Sequence, residues 1–270
     1  MKAGFIIVGV MKSGTTTLAH HLTGQREIII PENEVHYFDY DQNYLKGDGW
    51  YESQFNFREA DENFIAGEKT PYSFYPYTAG RIHKYDPAMK LIWIFRNPVD
   101  RAYSNYSHDL YNIDEWRSFE KCIRQEEKRD VLYQYLSKGR YIDQVENFLT
   151  YFPIEQMRFV LFEDLLKDPR KELAEIFRFL GKDPGDFILK EDLHSKKSKF
   201  PAYSPAFIYF YKKYIGPKGR AWNFIWRNYF SSPSKQKMKP ETRKKLLEYY
   251  RPFNARLAQL TGKDLNPWNR

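Results

Sequence analysis

Cysteine is nearly absent: Cys122 is the only one in 270 residues. A single thiol excludes an intrachain disulfide framework and any cysteine-rich zinc site. Cys122 sits among Glu120, Lys121 and Arg124 and reads as a small residue on a helix. Long apolar runs are also missing. Residues 5–11 and 91–95 are strand-sized, far short of the roughly 20 residues of a membrane-spanning helix. The start, MKAGFIIVGVM, has only the outline of a signal peptide, because its apolar run is short and leads into a glycine turn with no cleavage-like site. The expectation is a soluble, cytoplasmic protein without a transmembrane segment. Fifteen prolines and fourteen glycines are dispersed, with no low-complexity linker and no internal repeat. His20, His21, His83, His108 and His194 lack metal-ligand spacing, so no metal is expected.

What is abundant is positive charge and aromatic surface. The formal charge is +8, and aromatic residues make up 18% of the chain. Such an excess favours an anionic partner: a nucleotide, a sulfated or phosphorylated sugar, nucleic acid or acidic lipid. Charge alone does not choose among these.

Apolar runs and turn signals alternate along the chain. GFIIVGV (4–10) reads as a strand, followed by a Gly/Ser/Thr turn and TTTLAHHL with helical spacing. REIIIP (26–31) reads as a short strand, 39–64 as irregular, and 76–85 as a helix stopped before Pro87. KLIWIF (90–95) is a buried strand, and Asn97, Pro98 and Asp100 mark a helix start. Helices are expected over about 116–136 and 139–151, and a third buried strand over RFVLFEDL (158–165) running into an acidic turn. PRKELAEIFRFLG then forms an amphipathic helix closed by Gly181. The pattern predicts an α/β fold, a doubly wound parallel sheet with helices on both faces, whose ligands bind at the carboxyl ends of the strands. A single domain is expected over 1–270: a core to about 200, then a helical, aromatic-rich extension over about 201–270.

The first turn, VGVMKSGTTT, nearly fits the phosphate-loop template G-x-x-x-x-G-K-[ST]. Gly9, Gly14 and Thr16 are in frame, but Thr15 replaces the lysine, and Lys12 precedes the second glycine. A glycine turn between strand and helix offers backbone N–H groups and a positive helix end to an anion. Ser13, Thr15, Thr16 and Thr17 add hydroxyl donors. A magnesium-dependent NTPase also needs an acid at a neighbouring strand end. KLIWIF ends instead in Arg96, while Glu163 and Asp164 after the third strand read better as capping carboxylates. IFRNPVDRAYSNY thus places a bidentate cation, Arg96, at a strand end and a hydroxyl, Ser104, on the next helix. The alternative is that Arg96 pairs with Asp100.

These two segments together resemble the sulfotransferases that use 3′-phosphoadenosine 5′-phosphosulfate (PAPS). VGVMKSGTTTL is similar to their 5′-phosphosulfate loop and IFRNPVDRAYSNY to their 3′-phosphate motif. ENEVHYFD (32–39), GEKTPYSFY (67–75) and KGRY (138–141) resemble the heparan-sulfate-type branch. The likeness covers about residues 4–200. It implies PAPS as donor, PAP as product and no metal, with Lys12 countering charge on the bridging oxygen. Lys12, Ser13, Gly14, Thr15, Thr16, Thr17, Arg96, Ser104 and Tyr141 then bind the nucleotide, with Arg140 at its border. Glu34 maps to the branch's base, with His36 as the rival base, and Asn33 stands where the branch often has lysine. Lys69 maps to a lysine near the acceptor, unless it simply pairs with Glu68. Lys196 and Lys197 belong to a candidate lid, HSKKSKFPAY (194–203).

Residues 203–230 interleave aromatics with lysine and arginine, which suits an acceptor platform, a membrane-surface helix, a dimer face or core packing. Residues 239–260 read as a helix pair or one helix broken near Pro252. The expected acceptor is a small molecule, glycan, lipid or natural product rather than nucleic acid. The competing functions are a P-loop kinase or nucleotide hydrolase, and a non-enzymatic polyanion-binding module.

Overall fold

The structure, a computed structural model, describes residues 2–23, 27–56, 64–112, 115–128, 133–185, 189, 200–201, 205–215, 231–232 and 238–270. In chain order the main elements are β1 (Phe5–Gly9), α1 (Thr15–Leu22), β2 (Ile28–Ile29), β3 (Ile65–Glu68), α2 (Pro76–Tyr85), β4 (Lys90–Phe95), α3 (Pro98–Asn112) and α4 (Phe119–Arg124). They continue with α5 (Tyr141–Leu149), β5 (Met157–Leu161), α6 (Phe162–Lys167), α7 (Pro169–Leu180), α8 (Pro205–Tyr214) and α9 (Pro240–Thr261). The chain divides into two compact units. The first holds residues 1–96, 141–192 and 256–263, and the second 97–140, 193–255 and 264–270.

The first unit is built on a five-stranded sheet in the order β2-β3-β1-β4-β5. Every pairing in it is parallel. FIIVG and KLIWIF are continuous apolar runs because β1 and β4 lie inside the sheet, and all five residues of β1 are buried. From β1 the chain crosses to β2 at one edge, whereas from β4 it continues to β5 at the other. The β1/β4 boundary is therefore the topological switch point, where open α/β sheets bind ligands. Leu18 and Leu22 of α1 pack with Leu173, Ile176, Phe177 and Leu180 of α7 on Ile92, Ile94 and Val160. Each such side chain contributes about 1.5–3 kcal/mol on burial. Asp168 caps α7 by accepting the Lys171 N–H at 3.1 Å, and Gly181 at φ 79° ends it.

In the second unit Asn97 opens α3, its side chain accepting the Val99 N–H at 3.0 Å. Tyr103, Tyr106, Phe119, Tyr135, Leu246 and Tyr250 form the apolar cluster, with Cys122 fully buried among them. α9 runs as one helix with Pro252 inside it, rather than as a pair.

Two expected elements differ, one strand was not expected, and 39–64, expected to be irregular, holds short helices at Asp41–Tyr44 and Asp48–Glu52. Among the described residues, the helix expected over 116–136 is α-helical at Phe119–Arg124 and followed by a 3₁₀ turn at Glu126–Lys128. The reason is a competing acceptor: the Glu126 carboxylate takes the N–H groups of Tyr135, Leu136 and Ser137 at 2.7–2.9 Å. The third buried strand stops at Leu161, and FEDLLK is helix α6, which leaves Glu163 and Asp164 exposed in its first turn. β3 was not anticipated, because IAGE is four residues with a glycine and no alternation. The lid lysines Lys196 and Lys197 lie outside the described residues, as does most of 203–230, of which 205–215 contains α8.

Candidate active site

The parallel sheet brings the ends of β1, β3, β4 and β5 to one edge of the first unit. After β1, the Val10 N–H donates to the Ile94 carbonyl at 3.0 Å, and the Ser13 N–H closes a turn onto Val10 at 3.1 Å. Lys12 at φ 65° and Gly14 at φ 98° give the turn its left-handed steps. At Gly14 glycine is needed for a second reason: a Cβ there would lie 2.5 Å from the Phe162 ring. Gly9 is in similar contact with the segment after β3, where a Cβ would lie 2.4 Å from the Ser73 hydroxyl.

α1 starts directly on this turn, with no side chain capping its first residues. Its first-turn N–H groups have no intrahelical partner, so the helix end is a donor surface with positive character. Ser13 is fully buried, and its hydroxyl has no hydrogen-bond partner among the described residues. Thr15 and Thr17 are largely buried, whereas Thr16 is exposed.

Arg96, immediately after β4, turns toward this loop. Its guanidinium donates to the Lys12 carbonyl at 3.4 Å and lies over the Phe162 ring, 5.2 Å from the centroid. No carboxylate pairs with it among the described residues of the first unit, and Asp100 is bonded to Arg243 at 2.7 Å within the second. Tyr141 stands behind Arg96. Its ring stacks on Phe95 at 5.2 Å, its hydroxyl donates to the Arg96 carbonyl at 2.9 Å, and it is buried. Phe162, which underlies Arg96 and closes against Gly14, was not foreseen. In the sequence it falls inside the expected third core strand, which hid it. Ser104 is half-buried on α3 in the second unit, and Arg140, also half-buried there, lies 5.7 Å from the Phe253 ring centroid.

The segment after β2 carries a charge array. His36 at φ 52° places its ring between two carboxylates. Nδ1 lies 2.8 Å from Asp39 Oδ2, and Nε2 lies 3.2 Å from Glu34 Oε2. The ring stacks on Tyr40 at 4.5 Å. The hydrogen bond to Asp39 first, then that to Glu34, push the imidazole from its ordinary 6.5 up to about 10, against the opposing effect of burial. At neutral pH His36 is thus an imidazolium, donating from both nitrogens. Asp39 was not singled out from the sequence; the H-x-x-D spacing was the available signal. Glu34 is partly exposed and borders a groove of about 450 Å³ shared with Asn33, Asn43, Trp50 and Gln54.

Lys69 follows β3 and is half-buried. It does not pair with Glu68 among the described residues, because Glu68 is buried and takes hydroxyl donors instead, from Tyr51, Thr70 and Tyr72. Among the described residues, no helix is long and apolar enough to cross a membrane.

Comparison with known proteins adds to this geometry. The sulfotransferase domain family matches residues 2–261. The chain is 31% identical over 269 residues to mouse heparan sulfate glucosamine 3-O-sulfotransferase 5, covering 97% of this chain and 72% of that protein. It is 33% identical over 265 residues to human heparan sulfate glucosamine 3-O-sulfotransferase 3B1, covering 96% and 63%. Among solved structures, a sulfotransferase from Alicyclobacillus acidocaldarius superposes with a TM-score of 0.73 at 26% identity, over the whole of both chains.

Proposed function

The chain belongs to the sulfotransferase family, its reaction is sulfuryl transfer from PAPS, and we propose that it uses Glu34 as base to sulfate a saccharide hydroxyl. PAPS supplies an activated sulfuryl group on its 5′-phosphate and carries a second phosphate on the 3′-hydroxyl. The residues present fit that ligand. The unpartnered Ser13 hydroxyl, the first-turn N–H groups of α1 and the Gly14 turn suit the phosphosulfate. Arg96, which pairs with no carboxylate among the described residues and is backed by Phe162, suits an anion beside the loop. Ser104 is assigned to the 3′-phosphate by its motif alone. Lys12 offsets negative charge that develops on the leaving side.

The observation that carries the base assignment is the His36 array. An imidazole raised to about 10 is already protonated at neutral pH and does not accept a proton there. Its role is then to hold and orient Glu34, whose exposed edge faces the groove, while Asp39 fixes the ring. A groove with carboxamides and a tryptophan suits a sugar, which offers hydroxyls and a flat C–H face. The heparan sulfate enzymes among the relatives support the same substrate class.

Two measurements test this. PAP is expected to raise the melting temperature whereas Mg-ATP is not, and the reverse would refute the donor. Labelled-sulfate transfer from PAPS to a glycan panel is expected to fall at least a hundredfold in Glu34→Gln. Full activity in that variant would reject the base.

A further inference from the structure

Glu68, the last residue of β3, is wholly buried and has no cationic partner among the described residues. Three hydroxyls donate to its carboxylate: Tyr51 at 2.8 Å and Tyr72 at 2.9 Å to Oε1, and Thr70 at 2.6 Å to Oε2. Two of those hydroxyls also accept backbone N–H groups from the segment that carries the charge array. Thr70 Oγ1 accepts from Val35 at 3.1 Å, and Tyr72 Oη accepts from Tyr37 at 3.0 Å. Between these two anchored residues stands His36, in the left-handed region that non-glycine residues seldom adopt. Such a conformation persists only where its surroundings over-determine it.

A buried carboxylate is an expensive way to fill a strand end, and burial pushes Glu68 up to about 7. An apolar side chain would serve packing alone. What a carboxylate adds is two acceptor oxygens that fix hydroxyl rotors. A hydroxyl bound to a carboxylate has its proton committed, so its lone pair is aimed at the amide beyond it.

We infer that Glu68 is a positioning residue, which fixes Val35 and Tyr37 through Thr70 and Tyr72 and so sets the geometry of Glu34, His36 and Asp39. The inference rests on the reading of Glu34 as the base, but its central measurement does not. Thr70→Val keeps the side-chain shape and removes the hydroxyl's bonds to Glu68, to the Val35 N–H and to the His36 N–H at 3.5 Å, whereas Thr70→Ser keeps the hydroxyl. The readouts are the titration of the His36 ring by NMR, kcat for labelled transfer, and the Kd for PAP.

In Thr70→Val the ring titration is expected to fall from about 10 toward 6.5. In the same variant kcat should drop about tenfold, as misplacement of a reacting group predicts, while the Kd for PAP stays within twofold. Thr70→Ser should restore both titration and rate. A titration unmoved in Thr70→Val overturns the inference, as does failure of serine to restore it, or a loss of PAP affinity in step with kcat. If Glu34→Gln keeps full kcat, the base assignment falls and the ring titration alone decides positioning. Should Thr70→Val not fold, Tyr72→Phe is read by the same criteria.

Discussion

His36→Gln separates an imidazolium clamp from a histidine base, and it does so through the pH dependence of stability. In the folded chain the ring is raised from 6.5 to about 10, chiefly by Asp39 at 2.8 Å and then by Glu34 at 3.2 Å. Because the folded value is above the unfolded one, its stabilisation is fully present below pH 6.5. It declines as pH rises and is lost through about pH 10. Each tenfold gain in the ring's proton affinity corresponds to about 1.4 kcal/mol. The ring is 28% exposed and Glu34 39% exposed, so solvent screens much of that interaction. A discounted contribution of about 2 kcal/mol at pH 6 is expected, or roughly 4–8 °C in melting temperature for a chain of this size. The assay is thermal unfolding of wild type and His36→Gln at pH 6 and pH 10. The two proteins should differ at pH 6 and converge at pH 10. A gap of equal size at both pH values, or a ring titrating near 6.5, refutes the clamp. Turnover of the wild type should correspondingly show no inflection near pH 6.5.

Gly14→Ala adds a Cβ 2.5 Å from the Phe162 ring at a residue with φ 98°. Left-handed strain and overpacking together should cost about 2–4 kcal/mol, measured by urea unfolding, and a near-neutral result would contradict the packing of Phe162 under Arg96. Arg96→Ala should weaken PAP about tenfold to a hundredfold by calorimetry, as loss of a charge-assisted contact predicts; unchanged affinity would remove Arg96 from the site. Glu68→Gln tests the buried carboxylate by pH. A folded value near 7 against an ordinary 4.5 means wild-type stability falls as pH rises across that window. The glutamine variant should lack that fall, and an identical slope in both proteins would mean Glu68 titrates at its ordinary value.

The parts of this fold legible in the sequence are those whose causes are local. FIIVG and KLIWIF are continuous apolar runs because a central parallel strand is covered on both faces, and Asn97-Pro98 marks the start of α3 by its own chemistry. Arg96 follows β4 directly and Lys12 lies in the turn after β1, and the pairing of those strands brings the two positions read from the sequence together. The misread elements have separate causes. FEDLLK carries helix signals of its own, Glu163 and Asp164 in the first turn and Lys167 in the last, which the apolar run before it masked. Residues 116–136 have helical periodicity, yet a carboxylate at Glu126 takes the amides of Tyr135 to Ser137 and ends the pattern. The candidate base is the instructive case. Glu34 and His36 were both visible as proton acceptors, and side-chain chemistry alone could not rank them. Asp39 is what the proposed ranking rests on, because a second carboxylate on the far side of the ring raises His36 and makes it a cationic partner of Glu34. His36 makes that second contact from a left-handed conformation, between Val35 and Tyr37, each bonded to a hydroxyl more than thirty residues away. On the proposed reading the choice of base is a tertiary property, resting on the bonds of Thr70, Tyr72 and Glu68 as well as on the E-x-H-x-x-D segment.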